Sequence, residues 1–456
     1  MSQDFYRSIR PKYHFSPKKG WINDPNGLTY SNGKYHLFAQ HEPNKTVWGP
    51  MHWLHATSEN LLDWNEIGIA LAPDKKLGMV FSGSAVIDEG NTSGLGKTYS
   101  PMVTIFTHHG DKEQQSIAFS DDHIKFESYP GNPVLPSKGD KDFRDPKVIR
   151  NPLRDCWTMV LAVGGIVEFY SSYNLIDWKR DGEFGRFENP QGYIFECPDL
   201  FPLISPSGHN VWVLTASFIM PRETGGSRTI YYLGEFDGYA FKAFNPSEPP
   251  LLLDEGYDNY AAVTFSGAST KTQVGWATSW TYADKLPTKD YRGLMTYARN
   301  LSLASTDRGL RLVSQPITPE HTLIDIQRND RVSTANLDKE CFHLQVTSNE
   351  PFLLEIGNES GEKFYCGLNN NNRFFTDRTQ AGSYEFSSIF SKGLYAFTES
   401  GRCLRGKVQL DIFFDHCIFE LFGDAGVYVN TTLAFPSKPY TYAKLSGKAD
   451  LRVGQF

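Results

Sequence analysis

Cysteine is sparse in this chain: six in 456 residues, at 156, 197, 341, 366, 403 and 417, with no CxxC pair. That excludes a disulfide-dense scaffold and the common zinc-cluster spacings, and it favours free thiols. Long apolar runs are missing too. No stretch approaches the roughly 18 apolar residues of a membrane-spanning helix, and residues 1–13 are polar, without the apolar core of a secretory leader. A cytoplasmic protein with no membrane partner is therefore expected. Basic clusters are short and the net charge is −7, so nucleic acid is not a natural partner either. Helical periodicity is scarce throughout.

Turn chemistry is abundant instead. The 39 glycines and 26 prolines fall in evenly spaced clusters between short alternating segments, the pattern of a β-rich protein. The length allows two domains with substantial cores. Beneath the divergence lies a repeat. Ser58-Glu59-Asn60-Leu61-Leu62-Asp63-Trp64 is echoed by Ser172-Tyr173-Asn174-Leu175-Ile176-Asp177-Trp178, and more weakly at 120–126, 236–241 and 306–312. Its apolar anchors, Trp64, Phe126, Trp178, Phe241 and Leu312, are spaced by roughly 50–70 residues, room for one four-stranded sheet each. The expectation is an all-β chain: a five-bladed β-propeller over residues 1–315, a linker at 316–328, and a C-terminal β-sandwich over 329–456. Asp415 and Glu420 in that last part read as hairpin and edge features. The sandwich is expected to cover propeller surface, with homo-oligomer contacts as a further role.

Carboxylates next to prolines carry the chemistry. Asn23-Asp24-Pro25-Asn26-Gly27, Arg144-Asp145-Pro146 and Glu196-Cys197-Pro198-Asp199 each follow a hydrophobic or aromatic lead-in. Three such segments fit one site better than three unrelated turns. Each repeat is preceded by one strand-like segment with a candidate residue: Asp24, Phe81-Ser82, Asp145, Glu196, and Asp258 with Tyr260. In a propeller the innermost strands converge on the axis, so these residues would meet at one end of the central funnel. Two carboxylates flanking a glycosidic bond can hydrolyse it, one as nucleophile and one as acid. Asp24, beside Asn23 in a turn rich in N–H groups, suits the ionised nucleophile. Glu196, between Phe195 and Cys197-Pro198, suits an acid with raised proton affinity. Asp145, next to Arg144, should stay ionised and grip hydroxyls. Among the aromatic residues, Trp48, Phe81 and Trp280 are expected to face a sugar, and Trp21, Trp53 and Trp276 to be core. His52 and His55 lie three apart, a spacing that sends them to opposite faces of a strand. No metal or other cofactor is expected.

With these residues in view, the chain resembles glycoside hydrolase family 32, the β-fructofuranosidases: invertases, sucrose-6-phosphate hydrolases, inulinases and levanases. The resemblance rests on the box at 23–27, Gln40, residues 48–53, residues 81–84, the segments around Asp145 and Glu196, residues 254–261 and 275–277, Trp280, and residues 415–422. It implies a propeller joined to a sandwich and retaining hydrolysis of terminal β-fructofuranosides. By position, Asp24 would be the nucleophile, Glu196 the acid/base and Asp145 the transition-state stabiliser. Asn23, Gln40, Trp48, Phe81, Ser82, Arg144, Tyr260 and Trp280 would line the fructosyl subsite. The chain departs from the family pattern at Ala39, His41, Glu42, Leu54, Ile194, Phe195 and Asn259, which bears on the leaving group. Sucrose, its 6-phosphate, kestose, inulin and levan stay open as substrates. A fructosyltransferase, an inverting arabinan-type hydrolase and a catalytically silent sugar-binding module are the rival readings.

Overall fold

A computed structural model describes residues 9–186, 192–221 and 225–456. Among them, secondary structure is strand and three single-turn 3₁₀ segments, and no helix is long and apolar enough to cross a membrane. Five sheets of four or five strands follow one another along the chain, and a ten-stranded C-terminal sheet follows them. The first five are the blades of a β-propeller. Their innermost strands are Gly20–Ser31, Met79–Ile87, Phe143–Arg150, Phe195–Ile204 and Tyr260–Thr264, each packed against the next around the axis.

The sequence repeat is a turn between the last two strands of a blade. In blade one, Asn60 Oδ1 accepts the N–H groups of Leu62 and Asp63 while Leu61 takes φ 66°. In blade three, Asn174 Oδ1 accepts those of Ile176 and Asp177, with Leu175 at φ 62°. Asp122 and Asp237 accept the matching pairs in blades two and four. A short acceptor side chain that substitutes for a backbone turn is what Asn and Asp do well, so the repeat survives where the rest has diverged.

The ring closes through blade five. Tyr291–Arg292 pairs in parallel with Gly20–Trp21, and Ser266 bridges Leu28 and Tyr30. The C-terminal unit is built on two long strands, Cys341–Gly357 and Tyr442–Gln455, paired along most of their length over an apolar core that includes Phe342, Leu354, Phe414 and Leu451.

Two expectations change here. The stretch 316–328 is not simply a linker: Pro316 ends the last strand of blade five, and Ile324–Ile326 pairs with the final strand of the C-terminal sheet. Three residues are too few for alternation to signal a strand. Asp415 and Glu420 are not edge features either; both are fully buried where the two β-units meet. Asp415 accepts N–H groups of Lys12 and Tyr13 at 2.8 Å each and lies 2.7 Å from His14 Nδ1. Glu420 accepts from Arg299 at 2.7 Å, and Arg299 also donates to Asp254 and Thr431 at 3.0 and 2.6 Å. Asp258, read as a site candidate, joins Arg378 and Tyr282 in the same contact. Buried charges of this kind hold only when each is paired and hydrogen-bonded, and these are.

Candidate active site

Every innermost strand is bulged where a candidate residue stands. Pairing with the neighbouring strand skips between Ile22 and Pro25, Val80 and Gly83, Arg144 and Lys147, Glu196 and Asp199, and Tyr260 and Val263. A bulge frees residues from the ladder and re-aims their side chains. Proline is tolerated there because no ladder N–H is needed, which gives the carboxylate–proline motifs their physical meaning. Asp145, Cys197 and Ala261 adopt φ of 65°, 45° and 53°, the left-handed conformation that non-glycine residues keep mainly where surroundings enforce it. The freed N–H groups are accepted by the preceding blade: Gly83 by Asn26 (3.2 Å), Asp145 by Thr107 (3.0 Å), Cys197 by Asp145 (2.9 Å) and Ala261 by Ser217 (3.0 Å).

Three carboxylates converge as a result. Asp24 Oδ2 accepts the Ser82 hydroxyl at 2.7 Å, and the Cys197 sulfur lies 3.6 Å from that oxygen and 3.7 Å from Asp145 Oδ2. Glu196 meets the Arg144 guanidinium at 3.0 Å through one oxygen and accepts the Tyr260 hydroxyl through the other. Arg144 does not pair with its neighbour Asp145; it reaches Glu196, with Asp142 at 2.6 Å and Glu113 at 3.2 Å on its other side. This overturns two expectations. Glu196 is not among apolar neighbours only, and Asp145 is no ordinary carboxylate. Burial pushes Asp145 up to about 7, with Arg144 pulling it back and the charges of Glu196 and Asp24 adding to the rise. Burial raises Asp24 as well, opposed by the Ser82 hydrogen bond and reinforced by Glu196. The bulge after Arg144 and the left-handed turn at Asp145 re-aim the two side chains, so proximity in sequence misassigned the guanidinium.

The remaining candidates surround this cluster. Asn23 is buried and accepts the Trp21 indole N–H at 2.8 Å. Trp48 is 43% exposed, with its ring edge-on to Phe81 at 5.9 Å, and Phe81 stacks on His109 at 4.2 Å. Trp280 rests on Trp21 and Trp276, both buried. Tyr260, expected in the lining, is fully buried with its hydroxyl committed to Glu196. Asp24 Oδ1, Gln40 Nε2 and Trp280 Nε1 are buried and find no hydrogen-bond partner among the described residues. Buried polar atoms are rarely left so, and hydroxyl groups have the chemistry to partner both the acceptor and the two donors. Sequence reasoning missed Glu113, Asp142, Thr107 and His109. Asp142 stood in a charged run beside Arg144, but Glu113 carries no local signal.

Of the departures from the family pattern, His41 is buried and its Nδ1 lies 2.8 Å from the Trp21 carbonyl, Asn259 donates to Asp254 in the inter-unit contact, and Ile194 is exposed near Glu196. His52 and His55 diverge: His52 contacts Pro50 O, whereas His55 is buried against His36. Cys341, Asp415 and His416 approach one another closely enough to share a metal, yet Asp415 Oδ1 already accepts the Lys12 N–H and the His416 ring. The six cysteines are unbonded. A cavity of about 1110 Å³ lies at the other end of the axis, with Tyr30, Trp212 and Lys271 in its wall. Lys147 separates it from the carboxylates, donating to Thr264 O at 2.5 Å and pairing with Asp199 at 3.1 Å.

Clustered carboxylates, aromatic walls and unpaired buried donors at the mouth of a five-bladed propeller define a glycoside-hydrolase site. Comparison with known proteins agrees. The model of the glycosyl hydrolases family 32 N-terminal domain matches residues 14–316, and the model of the family's C-terminal part matches 295–453. The chain belongs to glycosyl hydrolase family 32. A levanase of Bacillus subtilis is 38% identical over 96% of this chain and 68% of its own length. The crystal structure of exo-inulinase from Aspergillus awamori superposes with a TM-score of 0.88 at 30% identity, covering 98% of each chain. A fructofuranosidase from Schwanniomyces occidentalis complexed with fructose gives a TM-score of 0.89 at 27% identity, over 100% of this chain and 99% of that one.

Proposed function

We propose that this protein is a retaining β-fructofuranosidase that releases fructose from the non-reducing end of sucrose and short fructooligosaccharides. The observation that carries the reading is the convergence of Asp24, Asp145 and Glu196 from three blades on one funnel with unpaired buried donors. Asp24 attacks C2 of the fructosyl unit as the glycosidic C–O bond breaks, and Glu196 gives its proton to the departing oxygen. Water then attacks C2, Glu196 takes the water proton, and Asp24 leaves as a carboxylate. Asp145, with one oxygen fixed by the Cys197 N–H, holds fructosyl hydroxyls, and the raised affinity of its carboxyl suits a group that shares protons with them. Asn23, Gln40, Trp48, Phe81, Ser82 and Trp280 line the fructosyl pocket, and Arg144 and Tyr260 hold Glu196.

A second reading within the family, exo-acting cleavage of inulin or levan, is supported by similarity over 96% of this chain to a levanase and over 97% of it to an exo-inulinase. The unbonded thiols support an intracellular location, which cell fractionation tests. Initial rates on sucrose, kestose, inulin and levan, with products resolved by chromatography, test the activity. Free fructose from any of them supports hydrolysis. Trisaccharide as the main product at high sucrose identifies a fructosyltransferase instead, and binding without turnover identifies a sugar-binding module.

A further inference from the structure

We propose that Glu113 is a positioning residue for the acid/base step, anchoring Arg144 and balancing its charge so that Glu196 can hold and release a proton. The inference rests on the acid/base role proposed for Glu196. Arg144 is one guanidinium serving three carboxylates: Nη2 meets Glu196 at 3.0 Å, and Nη1 meets Asp142 at 2.6 Å and Glu113 at 3.2 Å. Glu113 is the cross-blade partner. It starts a strand of blade two, and its Oε2 accepts the Phe143 N–H at 2.7 Å, fixing the backbone of blade three just before Arg144. It is also shielded, with a side chain 12% exposed against 30% for Asp142. Its Oε1 lies 3.2 Å from His109 Nδ1, and His109 stacks on Phe81, so the same carboxylate links the aromatic rim to the guanidinium.

An uncompensated guanidinium next to a carboxylate favours its ionised form, and an ionised carboxylate has no proton to give a leaving group. Glu113 and Asp142 supply the compensation. The groups facing Glu196 are Arg144 and Tyr260 in direct contact, with the charges of Asp24 and Asp145 and the Cys197 thiol close by. Arg144 is in turn faced by Asp145, Glu113 and Asp142, and Glu113 by His109. Among the described residues, Glu113 and Asp142 are the acidic groups that contact Arg144 from outside the carboxylate cluster.

Glu113→Gln tests this, because glutamine keeps an acceptor for the Phe143 N–H and removes the charge. The alkaline limb of the kcat/KM profile on sucrose should move to lower pH by about half to one unit. The loss above the optimum should be about tenfold on sucrose and much smaller on an aryl fructoside, whose leaving group needs little protonation. Glu113→Asp should return the limb part of the way. Asp142→Asn, on the more exposed side of the same guanidinium, should move it in the same direction and serves if the glutamine variant does not fold. An unmoved limb, or equal losses on both substrates at every pH, overturns the proposal. Glu196→Gln separates this from the underlying reading: equal losses on both substrates there would remove Glu196 as the acid. Leaving-group dependence in Glu196→Gln, with an unmoved limb in Glu113→Gln, would overturn the role of Glu113 alone.

Discussion

Cys197 donates its backbone N–H to Asp145 Oδ2 at 2.9 Å, so a carboxylate of blade three holds the bulge of blade four. The bond belongs to a series in which blades one to four each accept an N–H freed by the bulge of the next. Asp145 is thus both a partner of the backbone and a charge buried near two others, and the two roles can be separated.

Asp145→Asn keeps an acceptor for Cys197 and removes the charge. The wild-type carboxyl titrates near 7 when folded and near 3.8 when unfolded. As pH rises through this window the unfolded chain releases its proton first, so wild-type stability falls between about pH 4 and pH 7 and stays lower above it. The variant should therefore match the wild type near pH 4 and exceed it at pH 8, on the order of 1–3 kcal/mol, while turnover collapses. Denaturation curves at the two pH values check this; equal stability at pH 8 would show that Asp145 carries no such cost.

Asp24→Asn should abolish turnover and leave the fold intact, because the covalent intermediate cannot form while the Ser82 hydroxyl still finds an acceptor. NMR of the wild-type reaction should show β-fructofuranose released first, before mutarotation. Initial release of the α-anomer would assign inversion and a different role for Asp24.

Glu196→Gln should cost on the order of 10²–10⁴-fold on sucrose and less on an aryl fructoside. Tyr260→Phe removes one of the two donors to Glu196 found among the described residues, without exposing new surface. A smaller loss, on the order of tenfold, is expected, with the pH profile displaced rather than merely scaled down. Steady-state kinetics across pH reads both variants, and a Tyr260→Phe enzyme indistinguishable from wild type would make that hydroxyl a packing feature.

The joint between the two β-units should be as fragile to single charge deletions as the core is to cavities. Arg299→Leu leaves Asp254 and Glu420 buried with one partner fewer each, and a loss of about 3–5 kcal/mol is expected from breaking a buried network at one end. A chain ending near Arg328 should be insoluble or unstable, since Tyr282, Leu286 and Tyr297 would lose their C-terminal neighbours. A soluble, fully active truncation would show that the C-terminal unit is an accessory.

The amino-acid sequence alone determined the class of the fold, the number of blades and the segments that reach the site. Period-two alternation, the Asn60 and Asn174 turns, and carboxylate–proline pairs at Asp24 and Asp145 are local features, and the physics that reads them is local: turn geometry, and the absence of a proline N–H from a ladder. Charge partnership was decided only in three dimensions. Arg144 turned from Asp145 to Glu196, 52 positions away. Glu113 entered the site from 31 positions off, and Asp415 and Glu420 moved from expected edges to a buried joint with the first residues of the chain and blade five. Electrostatic energies depend on distance and burial. In a propeller both are set by how one blade's bulge faces the next, and no window of neighbouring residues contains that information.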